Sequence, residues 1–216
     1  MADNQFVMGS NPLAEPMLPR LPEPMLLRSG RLPKSGNYAY EPKWDGFRAL
    51  VSRNGHLHVR SRRGGDMTSL VPELTGLPDG LAVDGELIAF GDDGFPSFSR
   101  LCDRMLHGKR WVEVMLVVFD VLAVEGRDVT RRPYWERRHL LEDLALDGDH
   151  CSMTSSYLDG EALWQKVCEL GLEGVVAKKR SGHYLPGRRG WIKTKNRAYW
   201  RYPLEVEAAR LAAPVR

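Results

Sequence analysis

Asn54-Gly55 lies between two runs of alternating character, residues 47–53 and 56–62. This dipeptide is the strongest short hairpin signal a sequence offers, because both of its residues tolerate the positive φ that a tight turn between twisted strands demands. The chain is thereby committed to an antiparallel pair early in its length. Further strand patterns, rich in Val, Leu, Ile and Phe, fall at residues 38–41, 81–90, 112–124, 174–178 and 190–194. Helical spacing is confined to three places. Phe98, Leu101, Cys102 and Met105 share one face over residues 97–106. Pro133 suits the first turn of a helix carrying Tyr134, Leu140, Leu141 and Leu144 through Leu146. Asp159 suits the cap of a third, with Leu163, Trp164, Val167, Cys168 and Leu170, ended by Gly171. Strands outnumber helices and many are joined by tight turns, so the expected class is α+β with two largely antiparallel β-sheets and flanking helices.

With 43% apolar residues, the 216-residue chain can build a proper core, which excludes a disordered or fibrous protein. Its longest apolar run is broken by Glu113 and Asp120 and falls short of a membrane span, and no basic segment followed by an apolar run opens the sequence. A cytoplasmic protein without membrane association, and a monomer, is expected. Cys102, Cys151 and Cys168 are odd in number and lack CxxC spacing, so they are read as small buried hydrophobes. Six of the fourteen prolines precede Lys34. Residues 1–34 are therefore expected as an extended arm, 35–203 as the folded domain and 204–216 as a short helix or tail.

The net charge of +3 is unevenly spread. Residues 172–201 carry nine cations against the single acid Glu173, a window of +8 that leaves −5 for the rest. Clustered cations of this kind suit a polyanion.

The segment most informative about chemistry is Glu41-Pro42-Lys43-Trp44-Asp45-Gly46-Phe47-Arg48, a lysine at a strand end beside a turn. Such an amine becomes a nucleophile when neighbouring cations disfavour its protonation. It is followed, in order, by Ser61-Arg62-Arg63-Gly64, Asp84-Gly85-Glu86, Val118-Phe119-Asp120, Glu173-Gly174-Val175-Val176-Ala177-Lys178 and Trp191-Ile192-Lys193-Thr194-Lys195. Together these segments resemble the ordered motifs of the covalent nucleotidyltransferases: ATP-dependent DNA ligases, RNA ligases and mRNA capping enzymes. The wording is most similar to bacterial DNA ligases of end-joining repair, including Pro133 to Arg138 and the stretch from Tyr184 to Lys195.

The resemblance implies the ATP-grasp-like adenylation fold and makes Lys43 the nucleophile that takes AMP from ATP in a phosphoramidate bond. Arg48, Lys193 and Lys195 become the cations that balance the phosphate. Lys193 and Lys195 are two apart, so on a strand they share a face. Glu86 is implied for the ribose hydroxyls, Glu173 for a divalent metal site with Glu86, Phe119 for stacking on the purine and Glu41 for the adenine amino group. Magnesium or manganese needs few protein carboxylates when phosphates complete its shell. Arg62 matches an arginine near the phosphate of a DNA nick, and Arg188 and Arg189 are expected to contact the duplex.

No Gly-rich phosphate loop occurs, and the six histidines show no metal-ligand spacing, although His56 and His58 alternate along one strand. Only twenty-one residues follow Lys195, too few for the OB-fold domain that ligases of this kind carry next. The expectation is an adenylation domain without its OB partner, which an OB-fold domain or repair proteins would supply in trans. The competing readings are a catalytically weak nucleic-acid-binding accessory module, and an RNA ligase or GTP-using capping enzyme.

Overall fold

The Asn54-Gly55 turn closes as expected, with Gly55 at φ +68°, between strands β3 (Phe47–Asn54) and β4 (His56–Ser61). The structure, a computed structural model, describes residues 20–211. Its further strands are β1 (Leu26–Ser29), β2 (Tyr38–Pro42), β5 (Leu81–Ile88), β6 (Met115–Val124), β7 (Arg127–Asp128), β8 (Cys151–Met153), β9 (Gly174–Lys179) and β10 (Arg189–Lys195). Helices are α1 (Phe98–Met105), α2 (Tyr134–Asp143), α3 (Gly160–Glu169) and α4 (Tyr202–Leu211), with 3-10 turns at Thr68–Leu70 and Pro72–Gly76.

Two sheets result, ordered β1-β10-β9-β2 and β4-β3-β5-β6-β7, with β8 also paired to β6. Only β1 on β10 and β8 on β6 run parallel among these pairs. The largely antiparallel α+β class is what the strand-and-turn pattern implied. Alternation along each strand gives each sheet two buried faces. One face of the larger sheet, through Ala49, Val51, Val59 and Val83, packs on Leu74, Leu101, Met105 and Leu141. Its other face meets the smaller sheet through Leu50, Ala82, Leu122, Val176 and Trp191. The smaller sheet's outer face, Tyr40, Val175, Ala177 and Ile192, is covered by Leu163 and Val167 of α3. Asp159 caps α3 by accepting from the backbone N–H groups of Glu161 and Ala162, and Ser97 caps α1.

Three expectations need correction. Residues 26–29, placed in the arm, form β1 on the open edge of β10, and Leu21 and Met25 are buried in the inter-sheet core. Pro22, Pro24 and Pro33 flank this strand without entering it, as proline's missing N–H requires. The first part of the expected arm lies outside the described residues. The 112–124 run becomes strand only at Met115, although Val112 and Val114 are buried. Cys168 is exposed, because Val167 takes the inward position and the next residue turns about 100° away around the helix; Cys151 is buried and Cys102 half-buried. Residues 202–211 are helical, and the rest of the short helix or tail expected over 204–216 lies outside the described residues.

Candidate active site

Lys43 leaves the end of β2 with its backbone N–H donating to the carbonyl of Gly174 at 2.8 Å, which ties the turn to the start of β9. Gly46 is required by close approach: a Cβ there would sit 2.1 Å from the carbonyl oxygen of Leu87. Asp45 accepts from Tyr199 Oη at 2.6 Å and pairs with Arg201, whose guanidinium lies over the Phe98 ring. The lysine-bearing turn is therefore clamped from β5, β9 and the segment after β10, and its amine is aimed into a cavity between the two sheets of about 450 Å³.

Around the amine, opposite charges alternate. Lys43 Nζ donates to Glu173 Oε2 at 2.6 Å, and Lys195 Nζ lies 3.3 Å from Glu173 Oε1. Lys193, Lys195 and Arg48 were expected to disfavour protonation of the Lys43 amine, and Glu173 to hold a metal; here the buried Glu173 carboxylate lies between two lysines and pairs directly with the amine. Lys193 and Lys195 alternate with Thr194 on β10, as the two-residue period requires, and Lys193 lines the cavity. Burial, then the charges of Lys195 and Lys43, lowers the Lys193 ammonium pKa. Burial raises the Glu86 carboxyl to about 7, with Glu173 and Asp84 pushing the same way and Lys43 and Arg48 opposing.

At the other end the cavity is aromatic. Phe119 meets Trp191 edge to face with centroids 5.8 Å apart, and Arg48 lies 5.2 and 5.3 Å from the two ring centroids. Arg48 is not a loose phosphate-seeking cation. Its Nε donates to Asp84 Oδ1 at 2.8 Å, and Asp84 also accepts from Tyr184 Oη at 2.6 Å. Glu41 is likewise occupied: it accepts from Tyr134 Oη at 2.6 Å and pairs with Lys178 Nζ at 2.8 Å. Lys178 also donates to the carbonyl of Phe119 at 2.6 Å, and its ammonium stands 4.4 Å from the Trp191 centroid.

Glu41, Lys43, Arg48, Arg62, Glu86, Phe119 and Lys193 thus line one cavity, with Glu173 against Lys43 and Lys195 against Glu173. Arg188 and Arg189 are exposed and lie outside the cavity lining, at the opposite end of β10 from the lysine pair. Lys178, Trp191 and Tyr134 were given no role from sequence. For Lys178 a signal existed, a charge sharing its strand face with buried Val176, whereas Tyr134 reaches Glu41 across 93 residues of chain and left none. Trp44 donates its Nε1 to Thr154 Oγ1 at 2.9 Å, which holds the indole beside Lys43. Asp120, part of one motif, is structural: it forms a bidentate pair with the fully buried Arg137.

The lifted Glu86 carboxyl gives a pH-dependent expectation. Between its ordinary value of 4.5 and about 7 the folded chain holds more proton than the unfolded one, so stability falls as pH rises through that window. Glu86→Gln removes this cost. The variant should match the parent's relative stability near pH 4.5 and exceed it above pH 7 by about 1 to 3 kcal/mol in urea melts. A difference independent of pH would show that burial does not strain this carboxyl.

Residues 24–195 match the family described as ATP dependent DNA ligase domain. The multifunctional non-homologous end joining protein LigD of Mycolicibacterium smegmatis is 37% identical over 80% of this chain, which spans 23% of that protein. The SPbeta prophage-derived DNA ligase-like protein LigB of Bacillus subtilis is 33% identical over 82% of the chain and 68% of its own length. Among solved structures, mycobacterial DNA ligase D complexed with ATP and MES superimposes with a TM-score of 0.71 at 34% identity, covering 81% of this chain and 60% of that one. Chlorella virus DNA ligase-adenylate, at 20% identity and a TM-score of 0.59 over 80% of this chain and 68% of that one, shares the fold. The matched span runs from just before β1 to the end of β10 and so takes in both sheets and every cavity-lining side chain described above; the chain belongs to the ATP-dependent DNA ligase domain family.

Proposed function

We propose that this chain catalyses lysine adenylation and AMP transfer to a 5′-phosphate at a nick in duplex DNA, as the adenylation domain of an ATP-dependent ligase in bacterial end-joining repair. The observation that carries the reading is a lysine amine held in a cavity that is aromatic at one end and cationic at the other, with family membership around it. ATP fits that polarity. Phe119 and Trp191 offer faces for the purine, Glu41 and Lys178 offer an acceptor and a donor for its edge, and Lys193 and Arg62 face the phosphates.

Lys43 Nζ attacks the α-phosphorus; the N–P bond forms as the P–O bond to pyrophosphate breaks. The amine must shed a proton, and Glu173 Oε2 at 2.6 Å is the near acceptor. The nick 5′-phosphate oxygen then attacks the same phosphorus, the N–P bond breaks and the Lys43 amine regains its proton. Lys193 and Lys195 balance charge that builds on the phosphate in both steps. Glu86 and Glu173 would hold a divalent cation, magnesium or manganese. The Glu173 charge helps to raise the Glu86 carboxyl, which suits a cation between the two, although the described residues hold no cluster of three or more His, Cys, Asp or Glu for one. Bound there, the metal supplies charge neutralisation to the phosphates.

The domain layout follows from this reading: an adenylation domain that takes in β1 and runs to about residue 203, with an OB-fold domain or repair proteins as partners. Arg62 would lie at the nick phosphate, with Arg188 and Arg189 as outlying duplex contacts. Such a ligase acts as a monomer on chromosomal DNA in the bacterial cytoplasm.

Base choice tests the reading. Glu41 accepts a hydrogen bond from an adenine amino group but faces a carbonyl in guanine, a mismatch of about 1 to 3 kcal/mol. With labelled nucleotide and magnesium, ATP should label the protein at least about tenfold better than GTP. Equal labelling would favour a capping-type enzyme, and no labelling by either would favour a binding module.

A further inference from the structure

The edge strand β4 carries a cationic and imidazole stripe that the adenylation site does not use. Leu57 and Val59 point into the core below the larger sheet, so His56, His58 and Arg60 alternate onto the opposite face, and Arg62 follows in the turn after the strand. Over the rest of the sheet that face is covered by the smaller sheet, but the smaller sheet does not extend over β4 here. A second cavity of about 430 Å³ opens instead, formed by Arg20, Leu21, Ser52, Asn54, His56, His58, Arg60 and Gly64. Among the described residues no carboxylate lines it. Arg60 donates one guanidinium nitrogen to the carbonyl of Pro22, which anchors it, while its Nε is buried without a partner. A buried donor left unsatisfied beside a polar cavity is what an anionic oxygen would repair.

From these observations we propose that the His56–His58–Arg60 face is a backbone-binding track for the duplex, leading along β4 to Arg62 at the mouth of the adenylation cavity. This rests on the ligase reading. The six residues of β4 span roughly 20 Å at about 3.3 Å per residue, equal to about six base pairs of helix axis. Phosphates at the far end would take hydrogen bonds from imidazole N–H groups and Arg20. At the near end Arg60 and Arg62 hand the backbone to the cavity where Lys43 lies. The contacts are to phosphates, so the track reads no sequence.

The test uses the full chain and a nicked duplex bearing a 5′-phosphate at about 50 mM salt. His56→Glu/His58→Glu should weaken duplex binding at least about tenfold. His56→Lys/His58→Lys should tighten it and steepen its salt dependence by about one to two counterions. Both histidines are exposed and neither lines the adenylation cavity, so covalent labelling by ATP should stay at the parent level in both variants. Duplex affinity unmoved in both variants with labelling intact would overturn the track and leave the ligase reading standing. A parent that neither labels with ATP nor binds the duplex would overturn the ligase reading and the track with it. Loss of duplex binding on adding about 10 mM inorganic phosphate to the parent, with no such loss in the Glu variant, would mark a site for a single phosphate and overturn the extended track.

Discussion

Lys43→Ala is expected to abolish covalent AMP labelling, to below about one part in a thousand of the parent, because in the proposed reaction its amine is the attacking atom and no other lysine is placed to replace it. Lys193 and Lys195 are the nearest alternatives, but both stand on β10, separated from β2 by β9, and Lys195 is ion-paired with the other oxygen of Glu173. Lys43→Arg should be equally inactive despite keeping the charge and the contact with Glu173, since a guanidinium is never neutral at working pH. That pair of variants separates nucleophilicity from electrostatics. Acid-labile, AMP-sized mass on the Lys43 peptide of the parent, missing in both variants, is the readout. Folding is verified by an unchanged far-ultraviolet circular dichroism spectrum and a cooperative urea melt, since Lys195 still pairs with the buried Glu173 when Lys43 is removed. Equal labelling of Lys43→Ala would remove the nucleophile assignment.

The second large effect is on stability. Lys178 and Glu41 have side chains 1% and 2% exposed, paired at 2.8 Å, with Tyr134 donating to the same carboxylate. Burial already raises the Glu41 carboxyl above its ordinary value, with Lys178 the leading influence that lowers it. Lys178→Met removes that influence and leaves a buried carboxylate with one hydrogen bond. A loss of about 3 to 5 kcal/mol at neutral pH is expected. A carboxyl raised in the folded state gains its proton as pH falls, so the deficit should shrink towards acid pH. Adding Glu41→Gln to Lys178→Met should recover most of the loss, since an amide still accepts from Tyr134 and carries no charge. A cost under about 1 kcal/mol at neutral pH, or no recovery in the double variant, would show the pair to be looser than its geometry implies. The single variant should also label poorly with ATP, because Lys178 braces the Phe119 carbonyl and the Trp191 ring.

Much of this was legible in the chain because it depends on neighbours in sequence. The hairpin at Asn54-Gly55 is a local turn preference, the cap at Asp159 is a local hydrogen bond, and the alternation that puts Lys193 and Lys195 on one face is a property of any strand. The order of motifs along the chain, from Lys43 to Lys195, identified the residues that would meet in one cavity. Glycine at 46 was legible as a turn residue, but not as the point where β5 passes too close for a side chain.

Tertiary structure alone decided which charges cancel. β1 looked like part of a proline-rich arm because a four-residue strand has no pattern to show, and it exists through pairing with β10, more than 150 residues away. Arg48 looked available to phosphate until Asp84 and Tyr184 were brought against it, and Glu41 looked free until Lys178 and Tyr134 closed on it. Glu173 turned out to lie between Lys43 and Lys195. The sequence by itself determined the residue types and the face each takes on its strand. Which buried ion meets which counter-ion is set by how two sheets stack, and long-range packing of that kind leaves no local trace.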